Sequence, residues 1–338
     1  MKRIDGIEQL PEQLRGGVVS LGKFDGIHLG HAAILRRMKE YAERFGVPSL
    51  VLTFDPPPTA LLSANATVPL CTLERKLELI RDFGIDAAVV VSTTSDFLRQ
   101  SAEDFFFQTL VKRLQAKVIV EGENFSFGHA RSGNAEAMRR MGQQAGIAVE
   151  LVESVRLGKL IISSSEIRRQ LLSGNICDVN AMLSKPYRLS GTVVHGEHRG
   201  RTLGFPTANL GGVQTIVPKA GIYATRAWVD GTEYLAATHI GTNPTFDETV
   251  PKIEVFLLDF DGDLYEKTLH VDFLDYLREI VRFGNVDELL RHIKRDVAMI
   301  RKESALLSPF PQSGSSQKPE PPSPSLTGKG DGKSRSTG

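Results

Sequence analysis

Two kinds of periodicity in the apolar positions divide the chain near residue 180. Before that point, short apolar runs alternate with longer segments in which apolar residues recur at helical spacing. The predicted strands are residues 18–21, 49–53, 87–91, 118–120 and 149–152, and the predicted helices are residues 32–45, 73–83, 102–114 and 135–145. This alternation predicts an α/β domain over residues 1–182, with a parallel sheet covered by helices and ligands bound beyond the carboxyl ends of its strands.

After residue 184, short β-like runs follow one another with turn signals and no helical pattern between them. These runs are residues 190–195, 221–229, 234–240, 253–258 and 268–273, and Asp230-Gly231 and Asp261-Gly262 are dipeptides typical of hairpins. The pattern predicts a small antiparallel β-barrel over residues 183–307, with a terminal helix at 286–302 packing one apolar face against it. Residues 308–338 are poor in apolar side chains, so we expect a disordered tail.

Composition narrows the possible partners. The 338 residues carry a formal net charge of only +1, and the Lys and Arg residues are spread among acidic ones, which does not favour a nucleic-acid partner. Cys71 and Cys177 lie far apart, so neither a disulfide nor a zinc site is indicated, and free thiols suit the cytoplasm. Because no apolar run is long enough for a membrane span, we expect a cytoplasmic protein with no membrane partner. We further expect a monomer or weak homo-oligomer.

A glycine-rich turn with two histidines connects the first predicted strand to the first predicted helix. We call residues 22–31, Gly-Lys-Phe-Asp-Gly-Ile-His-Leu-Gly-His, the histidine turn. Glycines let backbone N–H groups approach phosphates, and a helix N-terminus adds positive potential. Two imidazoles there can stabilise charge on an attacked α-phosphate, and Gly30 would leave room for the nucleotide. The alternative is that the histidines only cap the helix, but their place between strand and helix favours an ATP site.

Two later segments also carry groups suited to a nucleotide. Residues 162–168 contain three serines followed by Arg168, which suits a clamp on triphosphate oxygens. Ser163 and Glu166 also fit a capping box, and that pattern leaves the other hydroxyls available. Residues 122–133 are rich in glycine and contain two phenylalanines, which either stack on a planar ring or pack a loop.

In this order and spacing, the three motifs resemble the adenylyltransferase module of the bifunctional riboflavin kinase/FMN adenylyltransferase (FAD synthetase) family. The resemblance covers roughly the first half of the chain and implies a Rossmann-like nucleotidyltransferase domain. The residues that it implies for ATP binding are Gly22, Phe24, Asp25, Gly26, His28, Gly30, His31, Ser164, Ser165 and Arg168, with His28 and His31 catalytic. On the flavin side it implies Asn124, Phe125, Phe127 and Arg131.

One position departs from the family pattern. Where the family usually has Phe-x-Pro-His-Pro after the second strand, this chain has Phe54-Asp-Pro-Pro57-Pro, so one imidazole is absent. We expect this difference to slow adenylyl transfer or to shift the role to Asp55.

The second half contains a different set of polar groups. In Gly200-Arg-Thr-Leu-Gly-Phe-Pro-Thr207-Ala-Asn209, a hydroxyl and an amide two residues apart are oxygen ligands suited to Mg²⁺ with nucleotide phosphates, or simply part of a polar turn. Glu254 lies in an otherwise apolar strand, where a carboxylate either faces outward or acts as a base.

These segments, together with residues 240–246 and 277–283, resemble the riboflavin kinase module of the same family from about residue 185 to 302. The resemblance implies a riboflavin kinase-like barrel with Glu254 as catalytic base and Mg²⁺ held at Thr207 and Asn209. It further implies Gly200, Arg201, Gly204, Thr207 and Asn209 on ATP, and Arg278 and Phe283 on the flavin side.

The residue types suit the two reactions separately. The phosphate of FMN is already largely anionic at neutral pH, since a phosphomonoester has a second pKa of about 6, and it needs no base. A neutral alcohol must lose a proton, which a carboxylate can accept. The sequence therefore predicts an enzyme that makes FMN from riboflavin and FAD from FMN. The alternatives are a kinase with a weak or inactive first half, a non-catalytic flavin-binding protein, and a nucleic-acid-binding protein acting through its tail.

Overall fold

A computed structural model describes residues 1–58, 67–197, 200, 203–246 and 249–304. In the first half of these residues, six parallel strands form a sheet in the order β1-β4-β3-β2-β5-β8. The strands are β1 (Lys2–Asp5), β2 (Val18–Leu21), β3 (Ser49–Asp55), β4 (Ala87–Ser92), β5 (Val118–Gly122) and β8 (Ala148–Val152). The helices are α1 (Leu29–Phe45), α2 (Leu73–Arg81), α3 (Ser95–Arg99), α4 (Ala102–Asp104) and α5 (Ala135–Ala145). The predicted parallel α/β arrangement is confirmed.

Local differences from the predicted elements have local causes. Helix α1 begins at Leu29, three residues before the predicted start, because His28 caps it. The predicted helix at 102–114 is α-helical only over Ala102–Asp104 and continues as a π-helix over Phe105–Arg113. The chain then adds two small hairpins, β6 (Ser126–Phe127) with β7 (Gly133–Asn134) and β9 (Arg156–Leu157) with β10 (Leu160–Ile161), and the helices α6 (Ser164–Ser173) and α7 (Ile176–Met182).

The strand order places a crevice between β2 and β5. After β2 the chain adds β3 and β4 on one side, and it then adds β5 and β8 on the other. Such a switch point opens a ligand site beyond the carboxyl ends of the strands. The two strands pair only at Val18 with Val118 and at Val19 with Ile119, so they separate before the histidine turn begins.

The second half folds as predicted. Among its described residues, six antiparallel strands close into a barrel in the order β11-β12-β15-β14-β13-β16. These are β11 (Arg188–Val194), β12 (Ala208–Gly211), β13 (Gly221–Val229), β14 (Thr232–Gly241), β15 (Lys252–Leu257) and β16 (Thr268–Arg278). Asp230-Gly231 joins the paired strands β13 and β14, as expected. The hairpin expected at Asp261-Gly262 is wrong, because β15 pairs with β12 and β14 and not with β16.

The terminal helix α8 (Val286–Ser304) packs on the barrel through Ile300, which is buried beside Ala224 and Leu258. The two halves also touch directly. Ser184 donates its backbone N–H to the Ile27 carbonyl at 3.1 Å, and Ile216 donates to the Pro69 carbonyl at 3.0 Å. The barrel interior and the helices α6 and α7 share one apolar core. The boundary at residue 182 stays a prediction, and the tail of residues 308–338 lies outside the described residues.

Candidate functional site

The histidine turn holds its two imidazoles in fixed positions at the start of helix α1. His28 is the N-cap residue, and its Nδ1 accepts the backbone N–H of His31 at 3.3 Å. The two rings stack with centroids 3.7 Å apart and an interplanar angle of 16°. Because Nδ1 of His28 accepts a hydrogen bond, the proton of the neutral ring lies on Nε2. The capping role and the candidate catalytic role therefore fall on the same side chain.

Both imidazoles are neutral near pH 7. Burial lowers the pKa of His28 to about 4. Burial also lowers the pKa of His31 well below its usual range, and the neighbouring His28, Lys76 and Lys23 lower it further. The Nδ1 atom of His31 is buried and has no hydrogen-bond partner within the described chain. Each neutral imidazole keeps one N–H group, so the pair can donate hydrogen bonds to a phosphoryl oxygen.

The backbone conformation and close packing of the histidine turn explain why it contains glycines. Phe24, Gly26 and Ile27 all have left-handed conformations, with φ of 46°, 82° and 44°. A Cβ on Gly30 would lie 3.1 Å from the His28 ring, so Gly30 is needed for the position of that ring. Gly30 also lines the cavity beside the turn, and the expectation that it leaves room for a nucleotide stays a prediction. The Phe24 ring is buried and lies tilted against the His31 ring with the centroids 5.1 Å apart, so it helps to hold that imidazole in place.

Asp25 of the histidine turn forms an ion pair with Arg168. Asp25 Oδ1 accepts the backbone N–H of Leu70 at 2.8 Å, and its other oxygen pairs with the Arg168 guanidinium. Arg168 also donates to the carbonyls of Val68 and Ser164 at 3.0 and 3.1 Å. These contacts pair the Arg168 guanidinium with Asp25, which lines the cavity beside the turn, whereas Arg168 itself does not line it.

The serines of the third motif differ in their contacts. Ser163 caps helix α6 by accepting the backbone N–H of Glu166 at 3.2 Å, so half of the expected capping box is present. Ser164 donates to the Asp25 carbonyl at 3.2 Å and lines the cavity. Ser165 is exposed outside it.

A cavity of about 780 Å³, the first cavity, joins the predicted ATP and flavin sides. Asn124 lies in its wall and donates from Nδ2 to Ser154 Oγ at 2.8 Å. The rings of Phe125 and Phe127 stack at 5.5 Å, and Arg131 donates from Nε to Ser126 Oγ at 2.8 Å. Since these residues share one cavity with His28 and His31, the first cavity can hold two planar groups and a phosphate chain between them.

Two residues of the first cavity are missed by sequence reasoning. Lys23 lies in its wall, where burial lowers the pKa of the ammonium although the negative charge of Asp25 raises it. Glu121, at the end of β5, is only 2% exposed, and burial raises its pKa well above the usual range. A carboxylate in an otherwise apolar strand, the signal that singled out Glu254, also marks Glu121 in the sequence. Asp55 and Pro57 do not line the first cavity, although Pro58 does.

The barrel aligns three polar side chains on neighbouring strands. Asn209 of β12 stands opposite Glu254 of β15, and Glu254 stands opposite His239 of β14. Their sequence neighbours Val255 and Thr238 point into the barrel and are fully buried. Because side chains alternate along a strand, the three polar groups lie on the outer face. This face and helix α8 enclose a second cavity of about 380 Å³.

Glu254 is held as a carboxylate. Its Oε2 accepts Asn243 Nδ2 at 3.0 Å and lies 3.3 Å from His239 Nδ1, a contact that is not aligned as a hydrogen bond. Burial by itself would raise the pKa of Glu254, but the contacts with His239 and Asn243 and the charge of Lys252 outweigh it, so the pKa is lowered. The side chain therefore faces the second cavity in its proton-accepting form.

The glycine-rich segment forms part of the same wall. Phe205 donates its backbone N–H to the Gly200 carbonyl at 2.8 Å, and Gly204 has φ of +81°. Thr207 lies just before β12, whereas Asn209 lies within the strand. The Asn209 side chain packs so closely on Gly196 that a Cβ there would lie 2.3 Å from Nδ2. Arg201 lies outside the described residues.

The predicted flavin side of the second cavity also meets helix α8. Arg278 bonds to buried Asp296, with its shortest contact at 2.7 Å, and its guanidinium lies 5.8 Å from the centre of the Phe283 ring. Phe283 is itself buried and tilted against His292 at 4.7 Å. Arg278, Phe283 and Asp296 line the second cavity, so the ion pair between Arg278 and Asp296 fixes helix α8 beside it. Asp296, His239 and Asn243 are further residues that the motifs did not single out.

The described residues contain no group of three or more His, Cys, Asp or Glu side chains placed to hold a metal ion. No helix among them is both long and apolar enough to cross a membrane.

Comparison with known proteins agrees with the two cavities. A family model described as FAD synthetase matches residues 10–166, and one described as riboflavin kinase matches residues 183–304. The bifunctional riboflavin kinase/FMN adenylyltransferase of Pseudomonas fluorescens is 34% identical over 90% of this chain and 98% of its own. The protein of that name from Escherichia coli K12 is 33% identical over 91% of this chain and 100% of its own.

A solved structure shares the fold over most of the chain. It is titled as a macrolide-efflux protein from Streptococcus pneumoniae, and it has a TM-score of 0.80 and 31% identity, covering 88% of this chain and 98% of that one. Both family models match in the expected order, and the relatives are more than 30% identical over nearly their whole length. This chain therefore belongs to the bifunctional riboflavin kinase/FMN adenylyltransferase family.

Proposed function

We propose that this chain phosphorylates riboflavin to FMN with Mg-ATP and then adenylylates FMN to FAD with a second ATP, releasing pyrophosphate. The observation that carries this proposal is the contrast between the two cavities. The first has neutral imidazoles and backbone donors at a helix start, whereas the second has an ionised carboxylate. The relatives' names join the two activities that these cavities suit.

In the first cavity, the phosphate of FMN attacks the α-phosphorus of ATP and pyrophosphate leaves. The attacking group is already anionic, so the site needs charge stabilisation and alignment, not a base. The Nε2–H of His28 donates to the α-phosphate, and the N-terminus of helix α1 adds positive potential. Lys23 supplies a cation in the wall of the cavity. Phe125 and Phe127 provide the face on which the isoalloxazine ring lies.

Arg168 reaches the triphosphate only after exchanging its partner. Its guanidinium is paired with Asp25, and Ser164 is bonded to the Asp25 carbonyl. An incoming polyphosphate offers stronger bidentate acceptors than one carboxylate. We therefore infer that ATP binding moves Arg168 toward the first cavity.

In the second cavity, the terminal alcohol of riboflavin attacks the γ-phosphorus of ATP, the bond to the β-phosphate oxygen breaks so that ADP leaves, and Glu254 accepts the proton of the alcohol. Asn243 and His239 orient the carboxylate, and Arg278 and Phe283 form the flavin side. Thr207 and Asn209 would hold Mg²⁺, since their neutral oxygens fit an ion that keeps several waters and binds phosphates. When bound, that ion neutralises charge on the phosphates.

The nearest alternative is a kinase whose first half transfers adenylyl slowly. It is favoured by Pro57, because no imidazole stands there, and by the ion pair that holds Arg168. Incubation with FMN and ATP distinguishes the two by rate, since the bifunctional enzyme forms FAD about as fast as it forms FMN, whereas the alternative forms FAD far more slowly. We further infer that the enzyme acts in the cytoplasm on free small molecules, as a monomer or weak homo-oligomer.

The test is product analysis by chromatography, starting separately from riboflavin and from FMN. Glu254→Gln should abolish FMN formation, a loss of about 10²- to 10⁴-fold for a general base, while FAD formation from supplied FMN continues. Glu233→Gln is the matched control, because Glu233 lies on the neighbouring strand and pairs with Arg226 outside the cavity. Absence of pyrophosphate from FMN plus ATP, or equal loss of both activities in the Glu254 variant, would contradict the proposal.

A further inference from the structure

The separation of β2 from β5 leaves a gap that one side chain spans. The strands pair only as far as Val19 and Ile119, and β2 then runs two more residues to the histidine turn. In that gap Glu121 Oε1 accepts the Leu21 backbone N–H at 2.6 Å and the Ser20 hydroxyl at 3.2 Å. Glu121 also lies in the wall of the first cavity.

The direction of the Leu21 N–H shows why an acceptor is needed there. The N–H groups of Val18 and Gly22 donate toward β3, to the carbonyls of Pro48 and Leu52. Along a strand these groups alternate in direction, so the Leu21 N–H points toward β5. The β5 backbone has already diverged at that level, and the Glu121 side chain supplies the acceptor in its place.

We propose that Glu121 is a positioning residue for adenylyl transfer. Its side chain takes the place of a backbone hydrogen bond between β2 and β5. It thereby keeps the crevice open and fixes the direction in which β2 leads into the histidine turn. The inference rests on the proposed adenylyltransferase function. It predicts that hydrogen-bond acceptance by Glu121 is required, because a buried N–H without an acceptor is costly and the strand end will move to satisfy it.

The test compares two substitutions of nearly equal volume. Glu121→Met removes the acceptor but fills the space. Glu121→Gln keeps an acceptor oxygen for Leu21 and Ser20. Glu150→Gln is the control, since Glu150 lies on the adjacent strand β8, bonds to Arg37 and Tyr41, and does not line the first cavity. Riboflavin phosphorylation by the same molecules reports whether the chain is folded.

Glu121→Met should lower kcat for FAD formation by about ten- to 100-fold, the range expected when a site is misplaced by about 1 Å. FMN formation should stay within about twofold, and Glu121→Gln should restore FAD formation to within about threefold of the wild type. If Glu121→Gln is as impaired as Glu121→Met, or if Glu121→Met matches the Glu150 control, the inference is wrong.

Amide hydrogen exchange gives a readout that does not depend on catalysis. Exchange of residues 19–31 should be at least about tenfold faster in Glu121→Met than in Glu121→Gln, because only the former loses the acceptor of the Leu21 N–H. Equal exchange in the two variants would overturn the positioning role, whether or not the wild type makes FAD. A wild type that makes no FAD would instead refute the proposed function on which the inference rests.

Discussion

Replacing His28 can separate the two roles of its side chain, which are to cap helix α1 and to face the nucleotide. His28→Ala removes the acceptor of the His31 N–H and should destabilise the chain by about 1 kcal/mol, the usual effect of losing an N-cap. His28→Asn keeps a good capping oxygen but is too short to place a donor where Nε2–H stands. The two variants should therefore differ in stability and agree in activity.

The expected loss of activity follows from the missing donor. Removing one preorganised donor to a developing oxyanion costs about 10²- to 10³-fold in kcat, which is roughly 3 to 4 kcal/mol. Both variants should show this loss for FAD formation from FMN, measured by chromatography. FMN formation from riboflavin in the same samples should be unchanged, because Glu254 and its partners lie in a different cavity. Wild-type FAD formation in His28→Asn, or a parallel loss of FMN formation, would refute this reasoning.

The lowered pKa of His28 adds a pH-dependent test of its burial. The unfolded chain binds the proton near pH 6.5, whereas the folded chain binds it only near pH 4. The unfolded state therefore holds more protons between these values, and acidification destabilises the fold. From pH 7 to 5, the free energy of unfolding should fall by about 2 kcal/mol more in the wild type than in His28→Asn, measured by urea denaturation. An equal fall in both would mean that the imidazole is not held neutral.

Three further predictions follow from single contacts. Gly30→Ala should slow FAD formation by about tenfold or more, because the alanine Cβ would lie 3.1 Å from the His28 ring and displace it. FMN formation should be unchanged, and the kinetics of both reactions would test this. Because the pKa of Glu254 lies below its usual 4.5, a pH profile of kcat for FMN formation should show no loss from this group until the pH falls below that value. Chelation of divalent ions should abolish FMN formation, and Asn209→Ala should raise the Mg²⁺ concentration needed to restore it by about tenfold, measured by titration.

Local sequence determined the secondary elements and the histidine turn. The apolar runs at 18–21 and 221–229 predicted strands that the structure has at the same bounds. These signals are local because the apolar face of an element and the cap at its start are set by residues a few positions apart. The capping role of His28 is of this kind, since its partner is only three residues away.

Tertiary structure decided how distant groups meet and how they ionise. The Arg168–Asp25 pair joins residues 143 positions apart, and Glu121 reaches Leu21 across 100 positions. The alignment of Asn209, Glu254 and His239 depends on strand register. No local pattern fixes burial, and burial makes His28 neutral, whereas the neighbours of Glu254 keep that carboxylate ionised. The motifs therefore identified the residues of the two sites, whereas chain topology and desolvation set their partners, charges and directions.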